Sequence, residues 1–257
     1  MGMKSFQIGD KITLTIHELD DVCDSVTGRP LTGSWVWDSA LILSEFMERQ
    51  QAQLGFDFRD KTVLELGAGA GLPGLTAAQL GASRVLLTDI QPLLGGLKRN
   101  AEGNKLEDVV EVRELVWGSV SSSDSWGEFD VVLMSDVFFD PTVMGDLGKT
   151  LRSLCKGKGK GRVWAASEVR PWTSECLNEL VSLGLEVVEL ETCFDRNVFG
   201  FGRPAPAGPA AAAAAVTVEL ASLRVVFYSE QMVGSREDSS SPEHKIIKIT
   251  FRRAYCG

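Results

Sequence analysis

A short apolar segment that runs directly into a glycine-rich turn constrains the fold of this chain more than any other feature. Residues 63–74 read Val-Leu-Glu-Leu-Gly-Ala-Gly-Ala-Gly-Leu-Pro-Gly. Glycine allows a tight turn and lets a ligand approach the backbone closely. The N-terminus of a helix placed after such a turn attracts an anionic group. The segment therefore predicts a strand, a ligand-binding turn and a helix in succession.

Similar apolar runs recur along the chain and alternate with segments of helical spacing. Short apolar runs separated by helices are typical of a parallel, doubly wound sheet. We therefore expect an α/β, Rossmann-like fold with a seven-stranded, mostly parallel sheet and helices on both faces. The predicted strands span residues 62–66, 84–88, 109–115, 129–134, 161–166, 185–190 and 245–251.

Two helices and an N-terminal pair of strands complete this outline. A helix is expected to begin near Asp38, whose side chain would cap it. A second helix is expected over residues 75–80, with Gly81 closing it. Residues 6–16 alternate apolar and polar side chains, which predicts a strand pair or an extended arm.

The sequence divides into an N-terminal extension and one large domain. We place the extension at residues 1–34 and the domain at residues 35–257. Residues 195–244 interrupt the pattern as an irregular insertion before the last strand, because residues 200–215 are of low complexity and rich in Pro, Gly and Ala. An extra strand and a flexible turn are expected at residues 223–229 and 156–162, respectively.

Composition and charge narrow the class of protein. Five scattered cysteines and two histidines form no C-x-x-C pair or Cys/His cluster, which argues against a metal site and for a reducing compartment. We therefore expect the cytoplasm or the nucleus. A net charge of −9 disfavours nucleic acid as a partner and suits basic protein segments. No apolar run is long enough to span a bilayer, so we expect no membrane contact. We also expect a monomer.

The glycine-rich turn allows two kinds of adenosine-containing cofactor. Gly69-x-Gly71-x-x-Gly74 matches the dinucleotide fingerprint, and Asp89 stands twenty residues after the first of these glycines, where an acid would bind a ribose. A nicotinamide dinucleotide and S-adenosylmethionine share this ribose, so a dehydrogenase stays open on this motif, as does a turn that binds no ligand. An earlier register, with Glu65 ahead of the glycines, resembles the first motif of class I methyltransferases and favours S-adenosylmethionine.

Three further motifs carry a family resemblance. They are Trp-Val-Trp-Asp-Ser-Ala-Leu-Ile-Leu at 35–43, Leu-Val-Trp-Gly at 115–118 and Ser-Asp-Val-Phe-Phe-Asp-Pro at 135–141. In this order and spacing, and with the glycine-rich turn, they resemble methyltransferase family 16, the seven-β-strand protein methyltransferases. That family includes lysine methyltransferases of molecular chaperones and of translation elongation factors. The resemblance covers residues 33–193 and the last strand, and it implies the class I fold with S-adenosylmethionine as cofactor.

Carried over position by position, the resemblance implies a set of cofactor-binding residues. The glycine-rich turn would pass beneath the methionyl part of the cofactor, an acid would bind the ribose hydroxyls, and an aromatic side chain would lie near the adenine. The residues are Trp37, Gly67, Ala68, Gly69, Asp89, Trp117 and Ser135. Core packing is the usual fate of a tryptophan, so that alternative stands beside the cofactor roles of Trp37 and Trp117.

The resemblance also implies three catalytic residues, Asp136, Phe139 and Arg170. Residues 136–139 occupy the place of the family's Asp-x-x-Tyr motif, where Phe139 lacks the phenolic hydroxyl. The Ser-Asp-Val-Phe-Phe form looks most like the branch represented by methyltransferase-like protein 23, for which arginine methylation of histone is described. Asp136 would orient the substrate nitrogen, and Phe139 would supply a cation–π contact. Arg170 would order Asp136 or hold substrate, unless it is simply solvated, and Glu168 would act as a second acid.

These observations favour an S-adenosylmethionine-dependent protein N-methyltransferase that acts on a lysine or arginine side chain. A small-molecule methyltransferase is the first alternative, because the cofactor half of the site would be the same. A non-catalytic S-adenosylmethionine-binding interaction protein is the second, since Phe139 and the 195–244 insertion depart from the pattern. The expected partner is a protein substrate with a basic side chain.

Overall fold

A computed structural model describes residues 2–19, 22, 23, 25, 28, 30–120, 126–154, 161–193 and 244–251. The described part contains nine strands and five helices. The strands are β1 (Gly2–Ile8), β2 (Ile12–Glu18), β3 (Thr62–Leu66), β4 (Arg84–Asp89), β5 (Val110–Glu114), β6 (Val131–Ser135), β7 (Arg162–Glu168), β8 (Leu185–Cys193) and β9 (His244–Phe251). The helices are α1 (Asp38–Gln53), α2 (Leu72–Gln79), α3 (Leu94–Gly103), α4 (Met144–Leu154) and α5 (Thr173–Ser182).

Seven strands form one mixed sheet in the order β5-β4-β3-β6-β7-β9-β8. The five strands β3 to β7 run parallel, and β9 is antiparallel to both of its neighbours. This order confirms the predicted Rossmann-like, seven-stranded α/β fold. The chain moves outward from β3 to β5 and then returns to the other side of β3 with β6. Such a reversal opens a crevice at the carboxyl ends of the strands, where ligands bind in folds of this kind.

Helices cover both faces of the sheet because neighbouring strand residues point to opposite sides. In β3, Val63 belongs to the core cluster that includes α1, α2, α3 and the β1–β2 hairpin. Its neighbour Leu64 belongs to the second cluster, which includes α4 and α5. Both side chains are fully buried. The central strands are therefore mostly apolar, as expected for a parallel sheet that is covered on both faces.

The N-terminal residues form a β-hairpin that packs on the helical layer. Strands β1 and β2 pair antiparallel from Gly2–Glu18 to Ile8–Ile12. The apolar face of β2 is buried, and its polar edge is tied to α3. Asn104, directly after α3, and Asn100 within it accept hydrogen bonds from the backbone N–H groups of Thr15 and His17, at 2.9 and 2.8 Å. The expected strand pair is thus confirmed, while a domain boundary at residues 34 and 35 stays a prediction.

Helix α1 begins at Asp38, as predicted, but Asp38 is not its N-cap residue. Trp37 is the N-cap residue, because its backbone is extended (φ −89°, ψ 155°), and it makes no side-chain capping bond. Asp38 lies inside the first turn, so the expected capping by Asp38 is wrong. Its carboxylate still lies at the end of the helix where the helix dipole favours negative charge.

Helix α2 begins three residues earlier than predicted. Gly71 is its N-cap residue in a left-handed conformation (φ 86°), and Pro73 lies in the first turn. Proline fits there because the first turn leaves its N–H groups unpaired. At the other end Gly81 has φ +101°, so the prediction that Gly81 closes the helix is confirmed.

The other strand boundaries shift by a few residues. The largest differences are at β6, which begins at Val131 instead of residue 129, and at β8, which extends to Cys193. The expected turn at 156–162 lies mostly outside the described residues, and so do the extra strand at 223–229 and most of the 195–244 insertion. Among the described helices, none is long and apolar enough to cross a membrane.

Candidate active site

A cavity of about 750 Å³ opens at the carboxyl ends of β3, β4, β6 and β7. Its walls come from residues 30–37, the glycine-rich turn, the ends of β4 and β6, and the segments after β5 and β7. All ten predicted site residues line it: Trp37, Gly67, Ala68, Gly69, Asp89, Trp117, Ser135, Asp136, Phe139 and Arg170. The fold therefore brings together residues that are spread over more than half of the sequence.

The glycine-rich turn forms the floor of the cavity with left-handed backbone conformations. Gly67, Gly69 and Gly71 have φ angles of 64°, 57° and 86°. Residues other than glycine adopt this backbone conformation only at an energetic cost. A Cβ atom on Gly69 would also lie 2.4 Å from the carbonyl oxygen of Gly33. The turn can therefore be built only from glycine at this point.

Asp89 ends β4 beside the turn with its carboxylate already oriented. One oxygen accepts a hydrogen bond from the backbone N–H of Gly69 and the other from that of Ile90, both at 2.7 Å. Burial raises the pKa of Asp89 above its usual value, and the two backbone hydrogen bonds partly offset this effect. Each carboxylate oxygen has more than one lone pair, so Asp89 can still accept hydrogen bonds from hydroxyl groups of a ligand in the cavity.

Glu65 lies behind the turn and not in the cavity. It is fully buried in β3, and one carboxylate oxygen accepts a hydrogen bond from the backbone N–H of Gly74 at 2.8 Å. The other oxygen has no hydrogen-bond partner among the described residues. Burial raises the pKa of Glu65 to about 8, and the nearby charge of Asp89 acts in the same direction. Glu65 therefore supports the start of α2 and is largely protonated at neutral pH.

Aromatic side chains also line the cavity. Trp37 is 40% exposed, and its Nε1 donates to the carbonyl oxygen of Thr32 at 3.0 Å. The rings of Trp117 and Phe139 lie 6.1 Å apart, and Phe139 is 51% exposed. Trp37 is exposed, so the core-packing alternative is wrong for this residue. Trp117 is partly buried and packs against the second core cluster while it also lines the cavity, so both interpretations apply to it.

An ion-paired cluster stands at the ends of β6 and β7. Arg170 holds Asp136 with both of its terminal nitrogens, at 3.0 and 2.7 Å, and Glu168 with one of them, at 2.7 Å. The side chains of Asp136 and Arg170 are only 11% and 17% exposed. Arg170 is therefore paired and not freely solvated. Burial opposes the charge of Arg170, but the two carboxylates outweigh it and raise the pKa of the guanidinium.

Backbone geometry orients Asp136 towards this cluster. Asp136 has a left-handed conformation (φ 55°), which costs energy for most residues but is tolerated by Asp and Asn. Its N–H donates to the carbonyl oxygen of Ala166 at 2.8 Å, which extends the pairing of β6 with β7. The hydroxyl of Ser39, at the start of α1, lies 3.4 Å from the carboxylate. Three separate elements thus hold one carboxylate at the edge of the cavity.

Comparison with known proteins assigns the chain to a family. A family model described as "Lysine methyltransferase" matches residues 13–180, which is more than half of the chain. The chain belongs to the lysine methyltransferase family. It is 42% identical over 123 residues to protein N-lysine methyltransferase METTL21A of Mus musculus, covering 47% of this chain and 54% of the relative.

Two further relatives differ in the side chain that their names state. Protein-lysine methyltransferase METTL21E of Mus musculus is 38% identical over 135 residues, covering 50% of this chain and 54% of the relative. Histone-arginine methyltransferase METTL23 of Xenopus laevis is 33% identical over 150 residues, covering 56% of this chain and 62% of the relative. The chain thus spans about half the length of the first two curated relatives.

Membership in a methyltransferase family implies S-adenosylmethionine as the methyl donor, and the cavity of this family member fits such a ligand. Its volume lies within the usual range for ligand pockets. The contact between Gly69 and Gly33 leaves a floor made of backbone alone, and Asp89 presents an anchored carboxylate at the end of β4. The aromatic rings that line the cavity offer surfaces for a planar adenine.

Some residues that line the cavity were not predicted from the sequence. They are mostly apolar or backbone positions: Pro30, Leu31, Thr32, Gly33, Leu93, Val116 and Trp172. The segment 30–34 precedes the first recognised motif and carries no chemical signal of its own. Trp172 is an exposed tryptophan two residues after Arg170. Its place beside a candidate catalytic residue is the signal from which its position in the cavity could have been predicted.

Proposed function

We propose that this protein is an S-adenosylmethionine-dependent protein N-methyltransferase that methylates a lysine or arginine side chain. One observation carries the proposal: the anchored Asp89 carboxylate and the paired Asp136 carboxylate lie on the walls of the same cavity. The first suits the ribose of a cofactor, and the second suits a basic nitrogen. Family membership and the names of the relatives support this assignment.

The cofactor half would use the residues around the glycine-rich turn. Gly67, Ala68 and Gly69 would lie against the methionyl part of the cofactor. Asp89 would accept hydrogen bonds from both ribose hydroxyls. Further contacts would come from Trp37, Trp117 and Ser135, which line the same cavity. When bound, S-adenosylmethionine supplies a methyl group on a cationic sulfonium, which a neutral nitrogen can attack in line.

The substrate half would orient the nitrogen and help it to lose its proton. A lysine has an ordinary pKa of about 10.4, so most of it is protonated at neutral pH. Desolvation in the cavity, next to the cationic sulfonium of a bound cofactor, would favour the neutral amine. Asp136 would accept a hydrogen bond from the substrate nitrogen with a lone pair that Arg170 leaves free. Orientation of this kind supplies several kcal/mol without covalent catalysis.

Aromatic rings near the cluster would receive the rest of the substrate side chain. Trp37 lies 5.9 Å below the Arg170 guanidinium, and exposed Phe139 lines the same mouth. Such rings attract cationic groups through their π faces. The acidic net charge of −9 favours the approach of a basic protein segment. Both lysine and arginine side chains match these features.

The experiment that tests the proposal is transfer of a labelled methyl group. The purified protein is incubated with a cell extract and methyl-labelled S-adenosylmethionine, and labelled peptides are identified by mass spectrometry. Methylation of a lysine or arginine in a protein supports the proposal. Label only in small molecules would favour a small-molecule methyltransferase. Binding of S-adenosylhomocysteine without any transfer would favour a non-catalytic binding protein.

A further inference from the structure

One part of the cavity wall is held in place by residues that lie outside the cavity. Residues 31–37, here called the tryptophan strap, form this part of the wall. Leu19, directly after β2, accepts two hydrogen bonds through its carbonyl oxygen, from Ser34 Oγ at 2.6 Å and from Trp35 Nε1 at 3.2 Å. Glu18, the last residue of β2, accepts a third from the backbone N–H of Val36 at 2.9 Å. The strap is thus tied to the end of one strand.

Glu18 is the charged member of this attachment. Its residue is only 6% exposed, and a buried carboxylate is costly unless its oxygens are paired. One oxygen receives the Val36 N–H, and the other forms an ion pair with Lys4 of β1. Hydrogen bonds to an ionised acceptor are stronger than neutral ones. Glu18 therefore fixes the backbone of Val36, which lies between the two tryptophans of the strap.

The strap has little freedom to shift once this attachment is made. Trp37 Nε1 donates to the carbonyl oxygen of Thr32 at 3.0 Å, which closes the strap on itself. The carbonyl oxygen of Gly33 abuts Gly69, since a Cβ atom there would lie 2.4 Å from it. Movement of the strap would therefore change the width of the cavity directly.

Strand β2 is also connected to the glycine-rich turn, through Asn100 of α3. The buried Asn100 accepts from the backbone N–H of His17 at 2.8 Å and donates to the carbonyl oxygen of Ala70 at 2.9 Å. His17 and Glu18 are neighbours in β2. The end of this strand therefore contacts both walls of the cavity, one through Asn100 and the other through Glu18.

We propose that Glu18 is a positioning residue of the cofactor site. It does not line the cavity, and it acts by holding Val36 so that the strap stays at a fixed distance from the glycine-rich turn. This inference rests on the proposed function, because it takes the cavity as the S-adenosylmethionine site. Its effect falls mainly on cofactor affinity, because the shortest contacts of Asp136, to Arg170 and to the backbone of Ala166, do not involve the strap.

The test compares Glu18→Ala with Glu18→Gln. The alanine variant loses the acceptor for Val36, and we expect S-adenosylhomocysteine to bind about tenfold more weakly by calorimetry. The glutamine variant keeps an acceptor oxygen and is expected to bind within about threefold of wild type. Lys4→Met is the matched control, because it removes the ion pair and leaves the Val36 hydrogen bond. It is also expected to bind as wild type does.

Hydrogen exchange of the Val36 amide separates the inference from the proposed function. Exchange is expected to accelerate in Glu18→Ala and to stay slow in Glu18→Gln, with or without a ligand. If wild type does not bind S-adenosylhomocysteine, the proposed function fails while the exchange result still tests the attachment. If Glu18→Ala binds as tightly as wild type and only melts at a lower temperature, Glu18 is structural and the inference is overturned. Equal loss of affinity in both Glu18 variants would overturn it as well.

Discussion

The two halves of the cavity are built in different ways. The cofactor half depends on backbone: left-handed glycines and an aspartate fixed by neighbouring N–H groups. The substrate half depends on three charged side chains at the ends of two strands, β6 and β7, with Arg170 between Asp136 and Glu168. Backbone geometry is set by local sequence, whereas an ion-paired cluster depends on how the strands are aligned. We therefore expect mutations in the first half to reduce binding and those in the second to reduce turnover.

The strongest test of this difference is Asp136→Asn. Asparagine tolerates the left-handed backbone at this position, so the fold should persist while the carboxylate charge is lost. We expect kcat to fall by a factor on the order of 100, with S-adenosylhomocysteine affinity nearly unchanged. Asp140→Asn is the matched control, because Asp140 caps a short turn nearby and does not line the cavity. A turnover equal to that of the control would remove Asp136 from the mechanism.

Gly69→Ala should produce the opposite result. The added Cβ atom would meet the Gly33 carbonyl oxygen at 2.4 Å, and the backbone has φ +57°. We expect S-adenosylhomocysteine to bind at least about tenfold more weakly, because the floor of the cavity must move. Gly95→Ala in α3 serves as control, since nothing lies within 4 Å of its added Cβ. Equal affinity of the two variants by calorimetry would contradict a backbone-built cofactor site.

Arg170→Lys tests whether the substrate half needs the geometry of the guanidinium or only its charge. Lysine cannot contact both Asp136 oxygens and Glu168 as the planar arginine does. We expect kcat to fall about tenfold while cofactor affinity stays the same. Arg99→Lys, at an exposed position of α3, should leave both values unchanged. Full activity of Arg170→Lys would show that charge alone suffices.

Glu65→Gln probes the buried carboxyl group behind the cofactor half and should have the smallest effect on catalysis. Burial raises the folded-state pKa of Glu65 from 4.5 to about 8. Between these pH values the unfolded chain releases the proton and the folded chain keeps it, so rising pH lowers the free energy of unfolding. Below pH 4.5 this loss is absent, and above about 8 it is complete.

The measurement is urea unfolding of both proteins at pH 5 and pH 8. We expect wild type to lose stability relative to Glu65→Gln as the pH rises, by up to a few kcal/mol, on the order of 1.4 kcal/mol for each unit of pKa difference. Glutamine keeps an acceptor oxygen for the Gly74 N–H. If the difference in the free energy of unfolding between the two proteins is the same at pH 5 and pH 8, Glu65 is not protonated in the folded protein.

Sequence reasoning located the fold and the cofactor half because their signals are local. A buried strand, three left-handed glycines and Asp89 follow one another within 30 residues, and each has a direct structural consequence. The start of α1 was predicted correctly, but its N-cap residue and the start of α2 were not, because the extended Trp37 caps α1 and the left-handed Gly71 decides where α2 starts. The ends of a helix are the part that a local pattern of residues defines least well.

The substrate half and the strap attachment were harder to predict for a different reason. The sequence alone determined a seven-stranded α/β protein with a glycine-rich turn, and the motifs indicated which residues stand near a cofactor. Only the tertiary structure decided that Arg170 joins Asp136 to Glu168, and that Glu18 and Asn100 connect β2 to both walls of the cavity. These contacts join residues up to 83 positions apart. Their partners are set by strand register and helix packing, which no local pattern of residues encodes.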